Sequence, residues 1–321
     1  MLLTRFDYKF DFIGKRHLAM GISTLLLIIC LVSLFYQGLV LGIDFTGGTL
    51  VNVNYQQSVE LEEIRTILHN NGFSDAIVQH FGTTDEVIIR LGEHEAPKDN
   101  PISSQILELL KQHDEHVEMR RVEYVGPVVG NELIEQGGLA VIYTLIGILI
   151  YVAFRFEYRF ALGAIAALIH DTIITVGVFS LLRLEFDLTV LAAVLAVIGY
   201  SLNDTIVIFD RIRENFLKMR KQPPITVMNA SINQILGRTI MTSVTTLLVL
   251  IVLFAVGGEL IHGFSTALII GVIVGTYSSI YIASTSTLIL GVSKADLMPV
   301  EKEGVEMNKG SIRQPYSDNE Y

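Results

Sequence analysis

The sequence predicts a membrane all-α bundle of six helices with an extracytoplasmic α+β, ferredoxin-like domain on one face. Three observations carry this. Six stretches (18–35, 137–154, 160–182, 188–209, 239–258 and 264–292) are apolar and long enough to cross a hydrocarbon core of about 30 Å as helices, in a chain of 321 residues that is 51% hydrophobic with a mean hydropathy of +0.51. The long polar interval between the first two stretches carries strand and helix patterns in the order β-α-β-β-α-β, the split ferredoxin-like motif. The positive charges are unevenly shared between the two sides of the bundle.

The first stretch follows Lys15, Arg16 and His17. It is long and has no small-x-small cleavage site after it, so it reads as a retained signal-anchor. Its Cys30 is the only cysteine; no disulfide within the chain is possible, and the side chain reads as a small packing group. In the polar interval, 43–55 reads as a strand from its β-branched residues and turn glycines. Residues 58–71 place Val59, Ile64, Ile67 and Leu68 near helical spacing, with Glu60, Glu62 and Glu63 in the first turn where the helix dipole favours anions. Two short strands, 76–81 and 86–91, flank Gly82-Thr-Thr-Asp; a second helix covers 103–113 and a last strand 117–125. His80, His94, His113 and His116 are dispersed and read as surface groups. The interval holds no nucleotide loop, metal cluster or nucleophile triad, so no enzyme class is indicated.

Orientation follows positive charge rather than the net charge of −10. Sixteen of the 23 Lys and Arg fall in the amino-terminal segment, the second-to-third and fourth-to-fifth connections, and the tail. Both termini are therefore expected in the cytoplasm. The layout is 1–17 cytoplasmic, 18–36 the first helix, 37–136 the extracytoplasmic domain, 137–292 helices two to six with a cytoplasmic loop 211–238, and 293–321 a loose cytoplasmic tail. In that loop, 211–221 is a basic continuation of the fourth helix, suited to topology and anionic-lipid contact. Pro223 and Pro224 break it. Met228, Ile232, Ile235 and Leu236 then mark an amphipathic helix lying at the interface.

Few residues in the apolar stretches can carry chemistry. Asp204 is the only charged residue of 188–209, and a carboxylate at membrane depth costs roughly 2.5–3.5 kcal/mol on insertion scales. With Asn203 and Thr205 it stands about five residues, or roughly 8 Å, from the cytoplasmic end of its span. His170 and Asp171 lie nearer the bilayer centre in the third span, with Thr172 and Thr175 close by. Asp210 and Arg211 mark the end of the fourth. Thr239, Thr242, Ser243 and Thr246 make one hydroxyl face on the fifth, suited either to helix packing or to a polar pathway. Arg238 at its head either snorkels or pairs with Asp204. Gly271 and Gly275, followed by Ser278 and Ser279, form a small-residue face for close packing without chemistry.

Four segments together resemble the SecD/SecF family of export proteins: Gly42-Ile-Asp-Phe-Thr-Gly-Gly-Thr49, Tyr124-Val-Gly-Pro-Val-Val-Gly130, Gly199-Tyr-Ser-Leu-Asn-Asp-Thr205 with Phe209-Asp-Arg-Ile-Arg-Glu-Asn215, and Arg238-Thr-Ile-Met-Thr-Ser243. The third and the single short outside domain are similar to the SecF members. The resemblance covers about residues 10–292. It implies one six-helix half of an RND-type transporter in a bacterial cytoplasmic (inner) membrane, working with a SecD half to assist movement of unfolded preprotein through the SecY-SecE-SecG translocon under the proton motive force. YajC and membrane lipids are further implied partners; no nucleic acid and no cofactor are. By position, Asp204 matches the family's protonatable carboxylate and Arg238 the basic residue of the same relay. Asn203, Thr239, Thr242, Ser243 and Thr246 are supporting candidates, and His170 with Asp171 matches a family-like polar pair. Gly42, Asp44, Thr46, Gly47, Gly48, Gly126, Pro127 and Gly130 carry the structural motifs. A half of a small-molecule permease and a non-conducting structural subunit are the rival expectations.

Overall fold

The computed structural model describes residues 10–81, 83–92, 101–258 and 261–292. Arg5, Lys9, His94 and the tail 293–321 lie outside the described residues. Among those described, six helices are long and apolar enough to cross a membrane.

A short 3-10 turn, Ile13–Lys15, leads into α1, Arg16–Tyr36. The chain then forms β1, Val40–Leu41, and a single helical turn α2, Ile43–Thr46. The sheet domain follows as β2 Gly48–Asn54, α3 Leu61–Asn70, β3 Ile77–Phe81, β4 Thr83–Leu91, α4 Ile102–Lys111 and β5 Glu118–Val125. Its strands run β3-β4-β2-β5, all antiparallel, which is the ferredoxin-like order. Val51 and Val53 of β2 and Val87, Ile89 and Leu91 of β4 alternate onto one face. There they pack with Ile64, Ile67 and Leu68 of α3 and Ile102, Ile106 and Leu110 of α4.

The expected strand over 43–55 begins late. Residues 43–46 are helical, and the strand starts only at Gly48. Gly47 and Gly48 have φ of 68° and 119°, a backbone that L side chains rarely adopt. A Cβ on Gly48 would also stand 2.2 Å from the Leu91 carbonyl oxygen. The two glycines therefore end the turn and let β2 close against β4.

The remaining helices are α5 Pro127–Arg155, α6 Tyr158–Leu181, α7 Leu188–Lys218, α8 Pro224–Val256, α9 His262–Ser278 and α10 Ser284–Ile289, with a short β6, Glu185–Phe186, between α6 and α7. The π-turn Ser279–Ala283 joins α9 to α10, and Ser284 Oγ donates to the Ser279 carbonyl at 3.2 Å. The expected interfacial helix does not exist separately. Residues 224–256 form one continuous helix, because nothing between Pro224 and Thr239 stops it; a lone Gly237 weakens a helix by only about 1 kcal/mol. Met228 and Ile232 of this extension are buried against Phe209, Ile212 and Phe216 of α7.

Helices α6, α7 and α9 form the inside of the bundle, while α1, α5 and α8 leave Leu25, Ile28, Ile146, Leu149, Leu248 and Val252 exposed. In lipid such side chains carry no hydrophobic penalty, so association there rests on close packing and polar contacts.

Candidate functional site

Close approach of helices builds the buried polar centre. A Cβ on Gly271 of α9 would lie 2.1 Å from a Val197 methyl of α7, and one on Gly275 would lie 3.0 Å from Ser201 Cβ. The two glycines thus bring α9 onto α7, and α6 lies beside both. Asp171 of α6 sits where the three meet, 1% exposed. Its Oδ2 accepts from Ser201 Oγ at 2.5 Å and from Ser278 Oγ at 2.6 Å. Its Oδ1 lies 2.8 Å from His170 Nδ1. Thr175 donates to the Asp171 backbone carbonyl at 2.8 Å, and Thr172 to that of Leu168. Ser278, expected only to pack, is therefore also a hydrogen-bond donor to a buried carboxylate. Ser201, within the 199–205 segment, is one of many membrane hydroxyls and carries no distinguishing signal in the sequence.

Asp204 lies three residues further along α7 and is 4% exposed. Its Oδ2 is buried with no hydrogen-bond partner among the described residues, as are the hydroxyls of Tyr200 and Thr205 and, on α10, Thr285. Its neighbour Asn203 points outward and is exposed. Arg238 is exposed too; it is near enough for its charge to act on Asp204, but no direct ion pair joins them among the described residues. The hydroxyl face of α8 divides. Thr239 and Ser243 are buried, and Ser243 Oγ meets Thr276 Oγ1 of α9 at 2.7 Å. Thr242 is exposed and Thr246 half-buried; both return their hydrogen bonds to their own helix. Asp210 bonds Arg155 at 2.7 Å at the end of the bundle away from the sheet.

The 42–49 and 124–130 motifs form the joint between the sheet domain and the bundle. Gly42 N–H donates to the Phe186 carbonyl at 2.9 Å, and β1 pairs in parallel with β6. Thr46 Oγ1 donates to the Gly42 carbonyl. Asp44 Oδ2 accepts from the Leu188 N–H at 3.1 Å and Asp187 Oδ1 from the Val190 N–H at 2.7 Å. Two carboxylates thus cap the first turn of α7, where free N–H groups and the helix dipole favour anions. Gly126 precedes α5 and Pro127 is its first residue, the position at which a missing N–H is harmless. Gly130 presses on the motif turn, its Cβ position 3.1 Å from Gly47 N. Across this joint Arg90 of β4 forms an ion pair with Glu185. Burial pushes the Glu185 carboxyl above its usual range; Arg90 opposes that shift, while Asp187 and Asp44 reinforce it. Arg90 and Glu185 are 95 residues apart, and nothing in the sequence links them.

Among the described residues no group of three or more His, Cys, Asp or Glu is placed to hold a metal ion. Cys30 is buried against Gly177 of α6.

Comparison with known proteins places this arrangement. The family "Protein export membrane protein SecD/SecF, C-terminal" matches residues 105–293, and the "SecD/SecF GG Motif" matches residues 32–59. Protein translocase subunit SecF of Vibrio alginolyticus is 57% identical over 271 residues, 84% of this chain and 86% of that protein. The crystal structure of SecDF, a translocon-associated membrane protein from Thermus thermophilus, superposes with a TM-score of 0.81 at 37% identity, covering 90% of this chain and 39% of that one. A crystal structure of SecDF in a super-membrane-facing form gives a TM-score of 0.65 at 38% identity, covering 88% of this chain and 38% of that one. With its motifs, its six apolar helices and its ferredoxin-like domain, the chain is a multi-pass membrane protein that belongs to the SecF branch of the SecD/SecF family of protein export membrane proteins.

Proposed function

We propose that this chain is the SecF-type half of a two-part, proton-driven machine that assists Sec-dependent translocation of unfolded proteins, with Asp204 as its protonatable carboxylate. The single observation that carries the reading is the buried, unpartnered Oδ2 of Asp204 beside an exposed Asn203. A carboxylate in lipid without a cation or hydrogen-bond donors on one oxygen is costly when charged, and a proton relieves that cost. The exposed face of α7 at this depth is where a SecD-type half would complete the site, as expected for transporters built of paired repeats. The match covers 39% of the SecDF chain.

In this reading both termini lie on the cytoplasmic side of a bacterial inner membrane and the sheet domain outside, an orientation that the positive-charge distribution supports. The SecY-SecE-SecG translocon, YajC and the emerging preprotein are partners within this reading. In it, a proton from outside neutralises Asp204 and weakens its attraction to Arg238. The helices repack, and α7 carries the change some 16 residues, roughly 24 Å at 1.5 Å per residue, to the capped joint below the sheet domain. The domain then moves and holds or releases polypeptide. Two SecDF structures that match this chain unequally at nearly equal identity support a fold that changes shape. Each proton brings about 2.3 kcal/mol per 100 mV of membrane potential, enough to bias two states that differ by a few kcal/mol.

The test is Asp204→Asn in inverted membrane vesicles. The variant is expected to assemble with its partner and to lose gradient-dependent stimulation of export. Undiminished stimulation would mean that the chain serves as a non-conducting stabiliser instead.

A further inference from the structure

We propose that His170 and Asp171 form a second proton-holding site, in which Nε2 of His170 binds one proton while Asp171 carries the compensating negative charge. Asp171 is surrounded by donors. Ser201 and Ser278 both approach Oδ2, and His170 Nδ1 approaches Oδ1. With its proton on Nδ1, His170 becomes the third donor beside the two serine hydroxyls, an arrangement that fits an ionised carboxylate. The Nδ1–H of His170 is then committed to Asp171, and in the neutral imidazole Nε2 is left as a lone pair. That atom is buried and has no partner among the described residues, on a side chain 3% exposed. No Lys or Arg forms an ion pair with Asp171 among the described residues, so the ionised pair leaves one net negative charge uncompensated inside the bundle.

Addition of a proton to the Nε2 lone pair gives an imidazolium whose Nδ1–H stays on Asp171. The pair passes from a net charge of about −1 to about zero, and no bond other than the new N–H forms or breaks. Titratable groups along the middle of the elements around α6 are Tyr200 and Asp204 on α7, Cys30 on α1, Tyr277 beside Ser278 on α9, Tyr281 on the π-turn, and the exposed Tyr143 and Tyr151 on α5; Arg16, His17 and Tyr36 of α1, Glu132, Glu135 and Arg155 of α5, Asp210, Arg211, Arg213, Glu214 and Lys218 of α7 and His262 of α9 stand nearer the helix ends. Among the mid-helix groups, Asp204 is the one other carboxylate. Ser201, which Asp171 holds, precedes Asp204 by three residues, about 4.5 Å along the helix axis. The pair therefore lies on the sheet-domain side of Asp204, the side from which protons arrive under the proposed function. The use of the stored proton rests on that reading; its existence does not.

The experiment uses the assembled complex with 15N-labelled histidine, in which His17, His69, His80, His94, His113, His116 and His262 are replaced by Gln, followed by NMR from about pH 5 to about pH 9. The expected result is one titration step in which Nε2 passes from lone pair to N–H while Nδ1 keeps its proton, and in which Asp204→Asn leaves the step present. An Nε2 that does not change over the range would overturn the proposal. His170→Asn keeps a donor where Nδ1 stands but cannot take the proton. In the otherwise native complex it is expected to abolish the acid limb of the pH profile of export stimulation while assembly with the SecD-type half is kept. A wild-type pH profile in that variant would overturn the use of that proton in export. Loss of stimulation in Asp204→Asn tests the other carboxylate, so the two failures are told apart.

Discussion

Asp171 and Asp204 are buried to nearly the same degree in neighbouring helices, 1% and 4% exposed, yet their surroundings differ. Asp171 has two serine hydroxyls and a histidine nitrogen on its oxygens, drawn in by glycines that bring α7 and α9 together. Among the described residues nothing donates to Asp204 Oδ2; an exposed amide stands beside it, and among those residues the exposed Arg238 makes no direct ion pair with it. Burial alone therefore does not assign a role to an intramembrane carboxylate. The satisfied one ties three helices together; the unsatisfied one is the group whose charge changes under the proposed function.

The largest effect expected from this contrast is on stability. Asp171→Ala strands His170, Ser201 and Ser278 together and should destabilise the solubilised chain by about 3 kcal/mol, the upper end of the range for leaving buried polar groups unsatisfied. Asp204→Ala should stay within about 1 kcal/mol of wild type, since it breaks no side-chain hydrogen bond found among the described residues. Equal losses in thermal unfolding would erase the distinction. Next is Gly271→Val, which adds a Cβ where Val197 already stands. It should cost about 1–3 kcal/mol by overpacking and should lengthen the contacts of Ser201 and Ser278 to Asp171, visible as faster amide exchange on the Asp171-facing parts of α7 and α9.

A third comparison sets the bundle interior against the joint. Glu185 has a folded-state pKa raised by burial. The folded chain thus binds its proton more tightly than the unfolded chain, whose carboxyl titrates near 4.3. The stability that this group contributes is full below that value and is lost as pH rises through the higher folded pKa. Local opening of the joint, followed by proteolysis or exchange near Gly42 and β6, should therefore increase over that window. Glu185→Gln should flatten the pH dependence. The smallest effect expected is Ser243→Ala, which removes one inter-helix hydrogen bond to Thr276 and should cost only about 0.6 kcal/mol, the typical value in a membrane bundle.

Much of the architecture could be read from the sequence because hydropathy and strand alternation are strong, local signals. The six apolar stretches and the β-α-β-β-α-β order are visible in residues 18–292 without any long-range information. The turn at 43–46 reads as strand in the sequence because Ile43, Phe45 and Thr46 have strand propensity, and a single helical turn is set by what it packs on. Phe45 sits against Phe186 and Phe179, and Gly47 and Gly48 supply the exit. The helix over 224–256 was divided because an amphipathic face and an apolar run look like two elements, although nothing in the backbone separates them. Asp204, Asp171 and Arg238 stood out as charges at or beside apolar runs. Ser201, Ser278 and the Arg90–Glu185 pair did not, since serines are common in membrane helices and a cross-domain ion pair depends on how two distant segments dock.

The most direct test of Asp204 as the open, proton-coupling carboxylate is proton flux into proteoliposomes containing the assembled complex, compared between wild type and Asp204→Asn at matched protein content. The structure predicts that the variant assembles and unfolds like wild type yet passes no gradient-driven protons. Wild-type flux through the Asn variant would contradict the account.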